Sequence, residues 1–116
     1  MSKSILQNKS DEECLLCRIL GPVPGNWPLE EHHVMFGRRF RKKSEHYGLK
    51  VYICIPHHRT GEDAAHQNDE VSDLLKKLAQ IQFEKIYSHE LWMQEFGINY
   101  LDDEMRERYL EEDELC

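Results

Sequence analysis

Cys14 and Cys17 are separated by two residues, Cys54 and His57 repeat that gap, and 36 residues lie between the two pairs. Three sulfurs and one imidazole nitrogen form a standard tetrahedral zinc set, and a two-residue gap lets both members of a pair reach one ion from a tight turn. A lone Cys-x-x-Cys is ambiguous between a zinc knuckle, a redox pair and chance, and no βαβ pattern surrounds this one to favour redox chemistry. A second group is built of histidines: His32-His33, His57-His58 and, further on, His66. Each ring has a polar edge to satisfy and neighbouring rings repel once protonated, so a gathering of imidazoles points to a metal-dependent site. A third group is basic. Arg38, Arg39, Arg41, Lys42 and Lys43 lie between the histidine pairs, and Arg59 follows the second. Such residues supply contacts to a phosphate backbone, which give affinity without sequence information. Nothing in the chain resembles a base-reading module, so weak sequence selectivity is expected.

The elements that must position these groups are short. Residues 29–36 and 49–55 have the β-propensity of two strands, joined by residues 37–48, a connection too long for a tight hairpin. Pro56 ends the second strand, and a loop through Gly61 leads to a helix that begins near Asp63 or Asn68 and runs to Tyr87. Val71, Leu74, Leu75, Leu78, Ile81 and Ile86 recur there at three- and four-residue spacings, which predicts an apolar face. Ser88 is placed to cap a shorter helix that Gly97 stops, with Trp92, Phe96 and Tyr100 packing on the longer helix or against a partner. Residues 1–13 read as a flexible arm and residues 102–116 as an acidic helix or tail. The expected fold is a small zinc-stabilised α+β domain with C-terminal helices.

At 116 residues the chain is long enough for one modest core. An ion bound by the Cys/His set supplies on the order of 10 kcal/mol of folding free energy, more than such a core guarantees. No window approaches the ~18 consecutive apolar residues of a membrane helix, and the N-terminus lacks the plan of a signal peptide, so a cytoplasmic protein with no membrane partner is expected. In a reducing compartment Cys14, Cys17 and Cys54 are thiols or ligands, not disulfides, and Cys116 sits on the terminal tail. The net charge of −7 conceals an asymmetry: residues 32–60 carry seven Lys/Arg and one acidic residue, residues 102–116 eight Asp/Glu and two Arg. With a Debye length of ~8 Å at physiological salt, a polyanion responds to the local patch rather than to the total.

Glu31-His32-His33 at the start of the strand pair, Cys54-x-x-His57-His58 at its end and the helix beyond resemble the HNH nucleases of the ββα-metal superfamily, in the zinc-bearing treble-clef form of small prophage proteins. The likeness covers roughly residues 14–101. It implies a metal-dependent DNA endonuclease with DNA as partner, in phage recombination, packaging or DNA degradation; a homo-oligomer or a phage protein partner stays open. It assigns the general base to His33 and catalytic-metal ligation to His32 and His58. His66 has no counterpart in the general motif; its place near the start of the helix suits a third ligand, a phosphate contact or a surface or capping histidine. An imidazole with its ordinary pKa of ~6.5 can take a proton from water at neutral pH. Imidazole ligands suit Mn, Ni, Co or Zn better than Mg. The family's central Asn is missing: Ser44, Glu45, His46 and Tyr47 stand in its place, with Ser44 or His46 able to brace the loop by hydrogen bonding. Two other readings remain open, a non-catalytic zinc-stabilised nucleic-acid-binding module and a protein-interaction adaptor using the acidic tail and the Trp92/Phe96 surface.

Overall fold

The computed structural model describes residues 3–7, 13–62 and 64–111. Within them the chain is a mixed α+β domain: α1 (Leu15–Leu20), β1 (Leu29–His33), α2 (Arg41–Tyr47), β2 (Lys50–Cys54), a π-type turn (Pro56–Thr60), α3 (Asp69–Ile86), α4 (His89–Phe96), α5 (Asp103–Arg106) and a second π-type turn (Glu107–Glu111). No helix among the described residues is long and apolar enough to cross a membrane.

β1 and β2 pair antiparallel, with Leu29 opposite Cys54, His32 opposite Val51 and His33 opposite Lys50. Successive strand residues point to opposite faces. Glu30, His32, Val51 and Ile53 therefore share one face, and Glu31, His33, Lys50, Tyr52 and Cys54 the other. Val51 and Ile53 join a single core with Leu16 of α1, Leu75, Ala79 and Phe83 of α3, and Trp92 and Phe96 of α4. The buried positions of α3 include Val71, Leu75, Ala79 and Phe83, spaced every four residues, together with Ser72, Gln80 and Ile81; of the expected apolar stripe, Leu74 and Leu78 are half-buried and Ile86 is exposed. Asn68 caps α3 by accepting from the N–H groups of Glu70 and Val71. Ser88 caps α4, which Gly97 ends in a left-handed conformation, and Trp92 packs against Phe83 with ring centroids 5.3 Å apart. Of the aromatic residues expected to pack on the longer helix or against a partner, Trp92 and Phe96 are thus buried within the chain.

The connection between the strands differs from a plain loop, because α2 occupies its second half. Phe40, Ser44 and Tyr47 face inward, with Phe40 against Phe96 and Tyr47 against Phe83 at centroid distances of 5.5 and 5.1 Å. Ser44 is fully buried: its hydroxyl donates to the Met35 carbonyl at 2.6 Å and accepts from the Met35 N–H at 3.1 Å. One side chain thereby satisfies both backbone groups of a residue just past the end of β1. Gly48 stops α2 at φ +73°, and a Cβ there would lie 2.1 Å from the Lys3 carbonyl oxygen. That close approach arises because residues 3–7, within the expected free arm, lie along β2: the Ile5 N–H donates to the Gly48 carbonyl at 2.9 Å, and the Tyr52 N–H to Gln7 Oε1 at 2.8 Å. The rest of that arm and the chain beyond residue 111, including Cys116, fall outside the described residues.

Two candidate metal centres

The first centre gathers Cys14, Cys17, Cys54 and His57. Cys14 caps α1, its sulfur accepting from the Cys17 N–H at 3.3 Å and from the Cys54 N–H at 3.2 Å. Cys54 ends β2, and the turn after Pro56 brings His57 back over it. His57 Nδ1 lies 3.5, 3.4 and 3.4 Å from the sulfurs of Cys14, Cys17 and Cys54, and the Cys17 and Cys54 sulfurs are 3.7 Å apart. A tetrahedron with Zn–S of about 2.3 Å and Zn–N of about 2.0–2.1 Å has S···S edges of about 3.8 Å and S···N edges of about 3.6 Å. The four atoms are therefore spaced as a zinc ion would space them. Burial pushes the Cys54 thiol up to about 12, so a thiolate there requires a central cation. The cluster is compatible with a structural zinc site.

The second centre gathers His32, His58 and His66, whose ligand nitrogens lie within 4.8 Å of one another. His32 comes from the buried face of β1 and His58 from the π-type turn. His66 is delivered by two backbone bonds that fold residues 65–66 onto that turn, Ala65 N–H to the His57 carbonyl at 2.7 Å and His66 N–H to the His58 carbonyl at 3.2 Å. The ring centroids are 5.1 Å apart for His32 and His58, 4.8 Å for His32 and His66, and 4.7 Å for His58 and His66. Glu30, two residues before His32 on the same strand face, accepts from His58 Nδ1 at 2.9 Å and is itself clamped by Arg59 at 3.0 and 3.2 Å. With Nδ1 as the donor, the lone pair of His58 sits on Nε2, 3.0 Å from His66 Nε2. Carboxylate–imidazole pairs of this kind orient metal-bound histidines. His32 Nε2 is buried with no hydrogen-bond partner. Burial, then the charges of His66 and His58, push its ring down to about 3, and burial also lowers His66. Three imidazoles gathered within ligand distance, one with an orphaned nitrogen, would suit a borderline divalent ion as its donor set.

His33 does not join this cluster. Strand alternation turns it to the opposite face, where its Nε2 meets Glu45 Oε2 at 2.9 Å and Glu31 Oε1 at 3.6 Å. Glu31, His33 and Glu45 also converge, but Lys50 Nζ lies 3.1 Å from Glu45 and 3.3 Å from Glu31, so an ammonium already supplies the cation there. Burial opposes the charge on Lys50, and the hydrogen bonds to Glu45 and Glu31 prevail, raising its pKa. Of the basic residues, Arg38, Arg39, Arg41 and Lys42 are exposed. Lys43 instead ties α2 to α4, donating to the Glu95 carbonyl at 2.7 Å, and Arg59 is held by Glu30. Two of the six expected phosphate contacts are thus committed within the chain. Glu30 is the position to which sequence spacing assigned no role, although it shares the strand face of His32 by its i, i+2 spacing, a signal present in the sequence.

Compared with known proteins, the chain matches no family model, no curated protein and no solved structure.

Proposed function

We propose that the protein is a metal-dependent phosphodiester hydrolase acting on DNA, of the treble-clef HNH type that its sequence resembles, with zinc holding the fold and a second divalent ion at His32, His58 and His66. The observation that carries this reading is the buried, unpartnered Nε2 of His32, on a ring whose ligand nitrogen lies within 4.8 Å of those of His58 and His66. An orphaned buried nitrogen is costly unless something binds it. When bound, the ion would act as a Lewis acid on a phosphate oxygen and on the leaving oxygen. The chain's own residues do the remaining work. Glu30 fixes the tautomer of His58, and Ser44 holds the backbone after β1, a service that suits the place of the absent Asn. Arg38, Arg39, Arg41 and Lys42 offer uncommitted charge for the DNA backbone.

In this scheme His33 is the general base. Its Nε2–H donates to Glu45, which leaves the lone pair on Nδ1 to accept the proton of the attacking water. The test is nicking of supercoiled plasmid by zinc-loaded protein with added Mn. Activity should be lost in His58→Ala and His66→Ala and partly recovered with excess Mn. His33→Ala should keep zinc and DNA affinity while losing most cleavage. A parent protein that fails to cut DNA with every divalent ion tried would sink the hydrolase reading. A His33→Ala protein that cuts at the parental rate would remove His33 from it.

A further inference from the structure

Lys76 projects from α3 beside the three-histidine centre, and its ammonium lies 5.0 Å from the ring centroid of Phe36 and 5.7 Å from that of Tyr100. Phe36 is the exposed ring of that region, 40% accessible although Val34 and Met35 before it are buried. It packs against two of the three histidines, 5.9 Å from His32 and 5.5 Å from His66 between centroids. The charge of Lys76 is felt at His32. Other cations near the two centres are neutralised, Lys43 by Glu95, Lys50 by Glu31 and Glu45, and Arg59 by Glu30. Among the described residues Lys76 has no carboxylate partner, only the two aromatic faces. Such faces hold an ammonium in place without cancelling its charge.

We propose that Lys76 is the phosphate-binding cation of the three-histidine centre, receiving a non-bridging oxygen of a nucleic-acid phosphodiester at a subsite rimmed by Phe36. The proposal rests on the hydrolase reading for the identity of the phosphate. Neutral imidazoles do not offset a divalent ion, and the nearest carboxylate, Glu30, is occupied by His58 and Arg59. An ion and an ammonium brought to one mouth without an intervening carboxylate call for an anion from outside. A phosphodiester fits, and its negative charge grows on the way to the pentacoordinate state, so the ammonium contributes more there than in the ground state.

The experiment compares Lys76→Met and Lys76→Arg with the wild type. Binding of a short duplex DNA is followed by fluorescence anisotropy over a range of salt, with zinc-loaded protein and no other divalent ion. In Lys76→Met the slope of log K against log salt should flatten by about 1, to the same extent on unrelated sequences, as for loss of one phosphate contact. Lys76→Arg should keep the wild-type slope. Both variants should keep the thermal stabilisation produced by Mn, since Lys76 is not a ligand. An unchanged slope in Lys76→Met, or a slope flattened equally in Lys76→Arg, overturns the proposal. If the wild type binds DNA through Lys76 but fails to hydrolyse it with every divalent ion tried, the phosphate site stands and the hydrolase reading falls. If the wild type cuts DNA and Lys76→Met has the same KM and salt slope, the hydrolase reading stands and the Lys76 subsite falls.

Discussion

Replacing His32 by Leu should make the protein more stable in zinc alone and indifferent to a second ion. His32 is 2% exposed and its Nε2 has no partner, which costs roughly 1–3 kcal/mol for a buried polar atom left unsatisfied. Leu has similar bulk and no polar edge, so it removes that penalty from a site lined by Val51 and other core residues. At about 4 °C per kcal/mol for a domain of this size, the variant should melt roughly 4–12 °C above the wild type when one equivalent of zinc is the only metal present. The wild type should then overtake or match it as Mn, Co or Ni is added. An ion at one hundred times its Kd stabilises by about 2.7 kcal/mol, on the order of 10 °C here. His32→Leu should show no such rise. The assay is a pair of thermal melts followed by circular dichroism, with and without the second ion. A wild type whose Tm ignores Mn, Co and Ni, or a His32→Leu protein that still responds to them, refutes the assignment of the three histidines as one ion site.

Cys54→Ala should abolish zinc retention and cooperative melting, because an incomplete tetrahedral set loses most of its binding free energy; metal analysis of dialysed protein checks this. Ser44→Ala orphans the Met35 N–H and carbonyl together and should lower stability by about 2–4 kcal/mol in urea unfolding, whereas a loss under about 0.5 kcal/mol would show that water replaces the hydroxyl. Glu84, with a 3% exposed side chain, is opposed by burial but held ionised by Arg106, Gln80 and His89, so its folded pKa is lowered. The stability it contributes is therefore present above the ordinary carboxylate pKa of ~4.3 and lost as pH falls through the lower folded value. Glu84→Gln should reduce Tm at pH 7 and flatten the decline in Tm below that range; an unaltered acid limb would mean that other carboxylates carry it.

What the sequence made legible follows from local rules. The cap of α4 at Ser88 and its stop at Gly97 are set by neighbouring residues, and the Cys/His spacing places four ligands before any fold is known. Helix α2 escaped because its inward face consists of Phe40, Ser44 and Tyr47, and a buried serine does not register as apolar; the Met35 backbone it serves is nine residues away in sequence. His32 and His33 read as one pair until the strand register sends them to opposite faces, a separation that period-two alternation foretells once β1 is fixed at Leu29–His33. Lys76 was hidden for a different reason. It lies inside a helix whose periodicity explains the core, and its meaning depends on where Phe36 and Tyr100 arrive from distant parts of the chain.

The five residues Pro56–Thr60 belong to both metal centres at once, since His57 faces the cysteines and His58 the histidines, and residues 65–66 are bonded to the carbonyls of these same two positions. Zinc at the first centre and an ion at the second would therefore not bind independently but would be partners in a single linked equilibrium. Whatever free energy zinc spent on fixing this turn would appear as affinity at the second site, and linkage would make the relation reciprocal. A chelator that withdraws zinc should collapse the second site in the same step, and saturating the second site should slow the escape of zinc.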